Sequence, residues 1–127
     1  MNRTDQRLSR GQQLVSTGLG LLLVGLGVAY LLAPEWIESL YGVDVPERGR
    51  YAMHYAVGVR DLFYGLLIVT LTNLRQRRAL AIAIGLGVLL PLGDAGIVLI
   101  HEGAGWVRAL PHLAGVLVMT GVWRWIR

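Results

Sequence analysis

The run from Tyr51 to Leu74 is long enough to cross a membrane, yet it carries Arg60 and Asp61 near its middle. About 20 residues at ~1.5 Å each span the ~30 Å hydrocarbon core of a bilayer. An ionised side chain at that depth costs roughly 2.5–3.5 kcal/mol on insertion scales. Two adjacent ions therefore need partners from other helices or from water in a hollow. A chain built around this stretch has to fold so that its other helices bring counter-charges to it.

Composition agrees with a bilayer setting. The chain has 127 residues, 54% of them hydrophobic, and its mean hydropathy of +0.54 is high for a soluble domain of this size. Cysteine is absent, which excludes disulfides, thiolate metal sites and a cysteine nucleophile. The 12 basic residues are all arginine and fall mostly between apolar runs, so the net charge of +4 reads as topology rather than nucleic-acid binding. The first apolar run, Leu14 to Ala33, has a basic lead-in like a signal peptide. It is longer than the ~7–15 residues of a signal-peptide core, and Pro34 would lie at the cut. It reads as a retained helix.

The pattern predicts an all-α protein: one integral membrane domain, 1–127, forming a four-helix transmembrane bundle. The helices fall at about 12–32, 50–73, 79–100 and 109–125. Pro34 ends the first, and Trp36, Ile37, Leu40 and Tyr41 then share one face of a short interfacial helix. Pro91 predicts a kink, or a freed carbonyl near Gly87, in the third helix. Pro111 opens the fourth, where proline is tolerated. The side holding both termini and the Arg75–Arg78 loop carries 8 arginines against 3 on the other. The positive-inside rule then gives a multi-pass cell-membrane protein with both termini cytoplasmic. Gly18, Gly20, Gly25 and Gly27 pair at seven-residue intervals in the first helix, which otherwise reads as a packing element without chemistry. This stripe suggests a homodimer. Gly25-Leu26-Gly27-Val28 recurs at Gly85-Leu86-Gly87-Val88, and His54-Tyr55-Ala56 is echoed by His112-Leu113-Ala114, as in a weak parallel repeat.

Depth along the helices brings the polar residues together. Arg60 lies ~15 Å and Asp94 ~10 Å below the outer surface, close enough to share a layer. His112 lies one turn into the fourth helix, and His54 and His101 with Glu102 sit nearer that surface. His54 and Asp61, seven apart, project the same way. Arg60 is offset from Asp61 by one residue, so the two are not expected to reach one spot. Arg60 should pair with Asp94, leaving Asp61 to face a histidine, an interfacial donor or the same hollow. Between the helices, the cytoplasmic half offers no ionisable residue, which implies a pocket open outward or sideways rather than a pore.

Gly58-Val59-Arg60-Asp61 with Gly65, the basic turn Arg75 to Arg78, Asp94, Gly103 to Gly105, and Pro111-His112 with Gly115 together resemble an uncharacterised family of small four-helix integral membrane proteins. The likeness covers about Leu14 to Val122 and extends more loosely to the DoxX-like group. It implies a four-helix membrane fold with a polar centre, and it carries over no catalytic residue.

Two classes of function fit. In the first, an outward-facing pocket binds a lipophilic small molecule and isomerises or cyclises it by proton transfer. Asp61, Asp94 and His112 would be the catalytic proton-handling groups, and Arg60, His54, Tyr64 and His101 would hold the ligand. No cofactor is needed, and the histidines lack a metal-binding spacing. In the second, the protein is a small proton-coupled transporter or transport accessory. A structural or assembly subunit, in which Arg60 and Asp94 only fix helix register, is the plain alternative. The partners expected are the lipid bilayer, a lipophilic small molecule and a second copy of the chain, with no nucleic acid.

Overall fold

The computed structural model describes residues 7–43, 51–101 and 105–127. Arg3, Asp5, the polar loop with Arg48 and Arg50, Glu102 and Gly103 lie outside the described residues. The elements are α1 (Arg10–Leu32), α2 (Pro34–Tyr41), α3 (Ala52–Asn73), α4 (Arg77–Gly87), α5 (Leu89–Ile100), α6 (Gly105–Arg108) and α7 (Leu110–Ile126). All are helical, and three stretches are long and apolar enough to cross a membrane: α1, α3, and α4 with α5 taken as Arg77–Ile100. At 17 residues, α7 reaches the lower end of spanning length, ~17–25 residues.

Local chemistry sets the ends. Ser9 caps α1 in a capping box, its hydroxyl accepting from the Gln12 N–H while the Gln12 side chain accepts from the Ser9 N–H. Pro34 sits in the first turn of α2, where its missing N–H costs nothing. Gly42 ends α2 with φ 90°, and a Cβ there would also lie 2.9 Å from the Arg108 carbonyl oxygen. The α4–α5 break falls at Val88, three residues before Pro91. Proline has no N–H to offer the Gly87 carbonyl, so the ladder is interrupted one turn upstream of the ring. Gly87 is also where the Tyr64 phenol passes against α4, donating to the Ala83 carbonyl at 2.6 Å.

Glycine pairs bring α1 and α3 together antiparallel. A Cβ on Gly27 would lie 2.7 Å from the Gly58 carbonyl oxygen, and one on Gly20 2.9 Å from that of Gly65. Half of the expected dimer stripe is therefore used inside the chain. Gly18 and Gly25, the other half, have nothing within 4 Å of a built Cβ. The second antiparallel pair is α4–α5 against α7, with Gly85 under Trp123 and Gly115 against Pro91. At the end holding the N-terminus of α1, Gln12 donates to the Trp125 carbonyl at 2.8 Å and Arg77 to that of Ile126 at 2.7 Å. These bonds satisfy last-turn carbonyls of α7 that have no helical partner.

The interfacial helix is divided. Trp36 is 88% exposed, whereas Tyr41 is 1% exposed and turned into the bundle. The core falls into two clusters. One, at the end of the bundle near the termini, is built on Ile68, Leu80, Ile84, Met119, Val122 and Ile126. The other, at the α2 end, is built on Tyr30, Tyr41, Val43, Val57, Val98 and Ala109. A cavity lies where the two clusters meet, lined by members of both.

Candidate functional site

The site is assembled around Arg60. Gly58 lets α3 press on α1, which fixes the rotation of α3 and sends the side chains of residues 60 and 61 toward α5. Arg60 Nη1 donates to Asp94 Oδ1 at 2.8 Å and Nη2 to Asp94 Oδ2 at 2.7 Å, a bidentate fork. The same guanidinium reaches its neighbour, with Nε 3.0 Å and Nη2 2.9 Å from Asp61 Oδ1. This corrects the expectation that Arg60 and Asp61 diverge. Their Cα–Cβ bonds are ~100° apart around the helix, but the long arginine stem swings the guanidinium back between both carboxylates. Both carboxylates are buried. One cation thus faces two carboxylates, and with both ionised the trio has a formal charge of −1.

His112 extends the cluster from α7. Its Nε2 lies 2.8 Å from the Tyr41 carbonyl oxygen. A carbonyl only accepts, so Nε2 carries the proton. In a neutral ring Nδ1 is then a bare lone pair, and it lies 4.0 Å from Asp94 Oδ2. A proton taken up at Nδ1 would face the carboxylate and cancel the residual charge of the trio. Tyr41 adds a long hydrogen bond of 3.4 Å to Asp94 Oδ1. Burial and the Asp94 carboxylate push its phenol up to about 12, so it remains a donor at neutral pH. Its ring lies near two histidines, with centroids 5.9 Å from His54 and 5.1 Å from His112.

These groups meet a cavity of about 340 Å³ bounded by α1, α2, α3, α5 and α7. That is near the lower end of the ~300–1,000 Å³ found for small-molecule sites. Arg60, Asp61, Asp94 and His112 form its charged wall, and leucines of α1 with Val118 and Met119 of α7 face them. Helix α1 is therefore more than a packing element, because Tyr30 and four of its leucines, Leu19, Leu22, Leu23 and Leu26, line the hollow.

The other expected ligand contacts are distributed differently. Tyr64 lines the cavity with its ring, but its hydroxyl is committed to the Ala83 carbonyl. His54 is 1% exposed, lies behind the lining, and has no hydrogen-bond partner at either ring nitrogen among the described residues. It is enclosed by the rings of Tyr30, Tyr41 and Tyr51 at centroid distances of 5.6–6.0 Å. His101 is exposed at the C-terminal cap of α5, away from the cavity. Tyr41 and Tyr30, read from sequence as part of the interface and of a passive helix, both belong to the site. Tyr41 lies four residues after Ile37 and one after Leu40, a spacing that left it on the lipid face. No three His, Asp or Glu side chains among the described residues are placed to hold a metal ion.

No curated protein matches the chain, and no solved structure does. Residues 20–126 match the family described as Domain of unknown function (DUF4267). That span contains Arg60, Asp61, Asp94 and His112, and the chain belongs to this family.

Proposed function

We propose that this membrane protein binds a lipophilic small molecule in the cavity between α1, α3, α5 and α7, and moves a proton on it. The observation that carries the reading is the wall itself: a guanidinium, two carboxylates and an imidazole face an otherwise apolar hollow. Buried acid–base pairs of this kind suit isomerisation or cyclisation, which need proton donors and acceptors in a dry site and no redox partner. His112 Nδ1 and Asp94 Oδ2 would exchange the proton, Asp61 would balance charge, and Arg60 would hold Asp94 in place. A looser kinship with the DoxX-like group would add no activity to this reading.

The packed cluster at the end near the termini supports a one-ended site over a transport path, since Leu80, Ile84 and Ile126 are each fully buried there. Pairing of two copies would use the open Gly18–Gly25 face of α1, and native mass measurements giving only monomer would remove that part of the reading. The central test compares small molecules that co-purify, in native lipid, with the wild type, Asp94→Asn and Arg60→Gln. The expected result is one compound near stoichiometric amounts in the wild type and absent from both variants, with helix content retained. Equal retention of that compound in all three would refute the assignment of the site.

A further inference from the structure

Charge and apolar length are segregated along the cavity. Arg60, Asp61, Asp94 and His112 lie toward the α2 end, while the leucine wall runs from there toward the middle of the bundle. On α1 the lining extends from Tyr30 to Leu19, about 16 Å at ~1.5 Å per residue. On α7 it extends from Pro111 to Met119, about 12 Å. These lengths bracket half of the ~30 Å hydrocarbon thickness, the depth of one leaflet. The cavity is also not closed sideways. Leu22 of α1 and Val118 of α7 both line it, yet they are 59% and 54% exposed. The two helices meet through Gln12 and Trp125 at the other end, so the gap between Leu22 and Val118 faces lipid.

We propose that the cavity is filled from the bilayer by a single-chain amphiphile that enters between α1 and α7. Its chain lies along Leu19, Leu23, Leu26 and Met119, and its head reaches the charged wall under α2. The head donates hydrogen bonds and carries no negative charge. Arg60 is already engaged by two carboxylates, and the trio has formal charge −1, so an anionic head would be repelled. The groups left open toward the cavity include acceptors, the carboxylate lone pairs and His112 Nδ1, beside the Tyr30 hydroxyl, which can donate or accept. A hydroxyl head meets both conditions. This inference rests on the binding reading above and narrows it to a shape, a head chemistry and an entry route.

The test uses the full chain in nanodiscs of zwitterionic lipid and a diazirine-bearing analogue of dodecan-1-ol as probe. After irradiation, labelled residues are mapped by mass spectrometry. Labelling is expected to concentrate on the cavity faces of α1 and α7 and to fall with excess dodecan-1-ol, but not with monododecyl phosphate or dodecane. Leu22→Trp and Val118→Trp each place an indole in the gap from a lipid-facing position, so the fold should be kept. Each should reduce cavity labelling by about tenfold or more. Undiminished labelling in both folded variants, or competition by the phosphate equal to that by the alcohol, would overturn this inference and leave the binding reading standing. Labelling spread evenly over the lipid-facing sides of all helices, and unchanged by Asp94→Asn, would overturn both.

Discussion

The trio of Arg60, Asp61 and Asp94 makes an asymmetric prediction about stability. Arg60→Gln leaves two buried carboxylates without a cation, because both take hydrogen bonds from the same guanidinium. Breaking a buried ion pair from one side typically costs about 3–5 kcal/mol. Arg60 retains 30% exposure of its side chain, which places the expected loss near about 3 kcal/mol. Asp94→Asn removes one of two negative charges and leaves Arg60 paired with Asp61 at 2.9 Å, a neutral pair. Its cost should be only that of losing charge-assisted hydrogen bonds, about 1.5–3 kcal/mol. In the double variant the stranded charge is a single carboxylate, so the loss should fall short of the sum of the two singles by about 1–2 kcal/mol. Reversible unfolding in mixed micelles, followed by circular dichroism, measures all three. Additivity within about 0.5 kcal/mol, or a loss for Asp94→Asn larger than for Arg60→Gln, would refute the charge count.

Two further outcomes follow from the packing. A Cβ at Gly65 would lie 2.5 Å from the Gly20 carbonyl oxygen and 2.7 Å from the Val24 nitrogen, both backbone atoms that move only with the whole helix. Gly65→Ala should therefore destabilise by about 1–3 kcal/mol, whereas Gly25→Ala, with open space around it, should be neutral or stabilising by up to ~1 kcal/mol; equal effects in the same unfolding assay would contradict the α1–α3 contact. Gln12→Ala removes both the capping box of α1 and the bond to the Trp125 carbonyl, and a loss of about 1–2 kcal/mol is expected, with no change in binding at the cavity, whose lining on α1 begins two turns further on at Leu19. A change in ligand retention at unchanged helix content would show instead that the two ends of the bundle are coupled.

Why part of the site was legible in the sequence, and part was not, comes down to depth against rotation. Depth follows from counting residues at a fixed rise from a helix end, and it correctly placed Arg60 and Asp94 in one layer. Rotation about a helix axis normally follows from an apolar stripe, and here every face of α1 from Gly18 to Leu32 is apolar, so hydropathy gives no direction. The glycines supply it instead, but α1 holds two pairs with the same seven-residue spacing, Gly18 with Gly25 and Gly20 with Gly27. Taken alone, α1 cannot choose between them. The choice is made by α3, whose Gly58 and Gly65 repeat the spacing in the antiparallel sense and accept Gly27 and Gly20. That choice turns Leu19, Leu23, Leu26 and Tyr30, spaced four, three and four residues apart, toward the hollow. It explains how a helix with no charge beyond Arg10 becomes the apolar wall opposite a charged one. Tyr41 was missed for a related reason. An eight-residue helix at a membrane surface has no length from which depth can be counted, and only its packing against α5 and α7 reveals that the Tyr41 hydroxyl meets Asp94 and its carbonyl meets His112. The chemistry of the site thus depends on contacts between helices far apart in the chain, and the residues that fix those contacts are the ones with the least chemistry of their own.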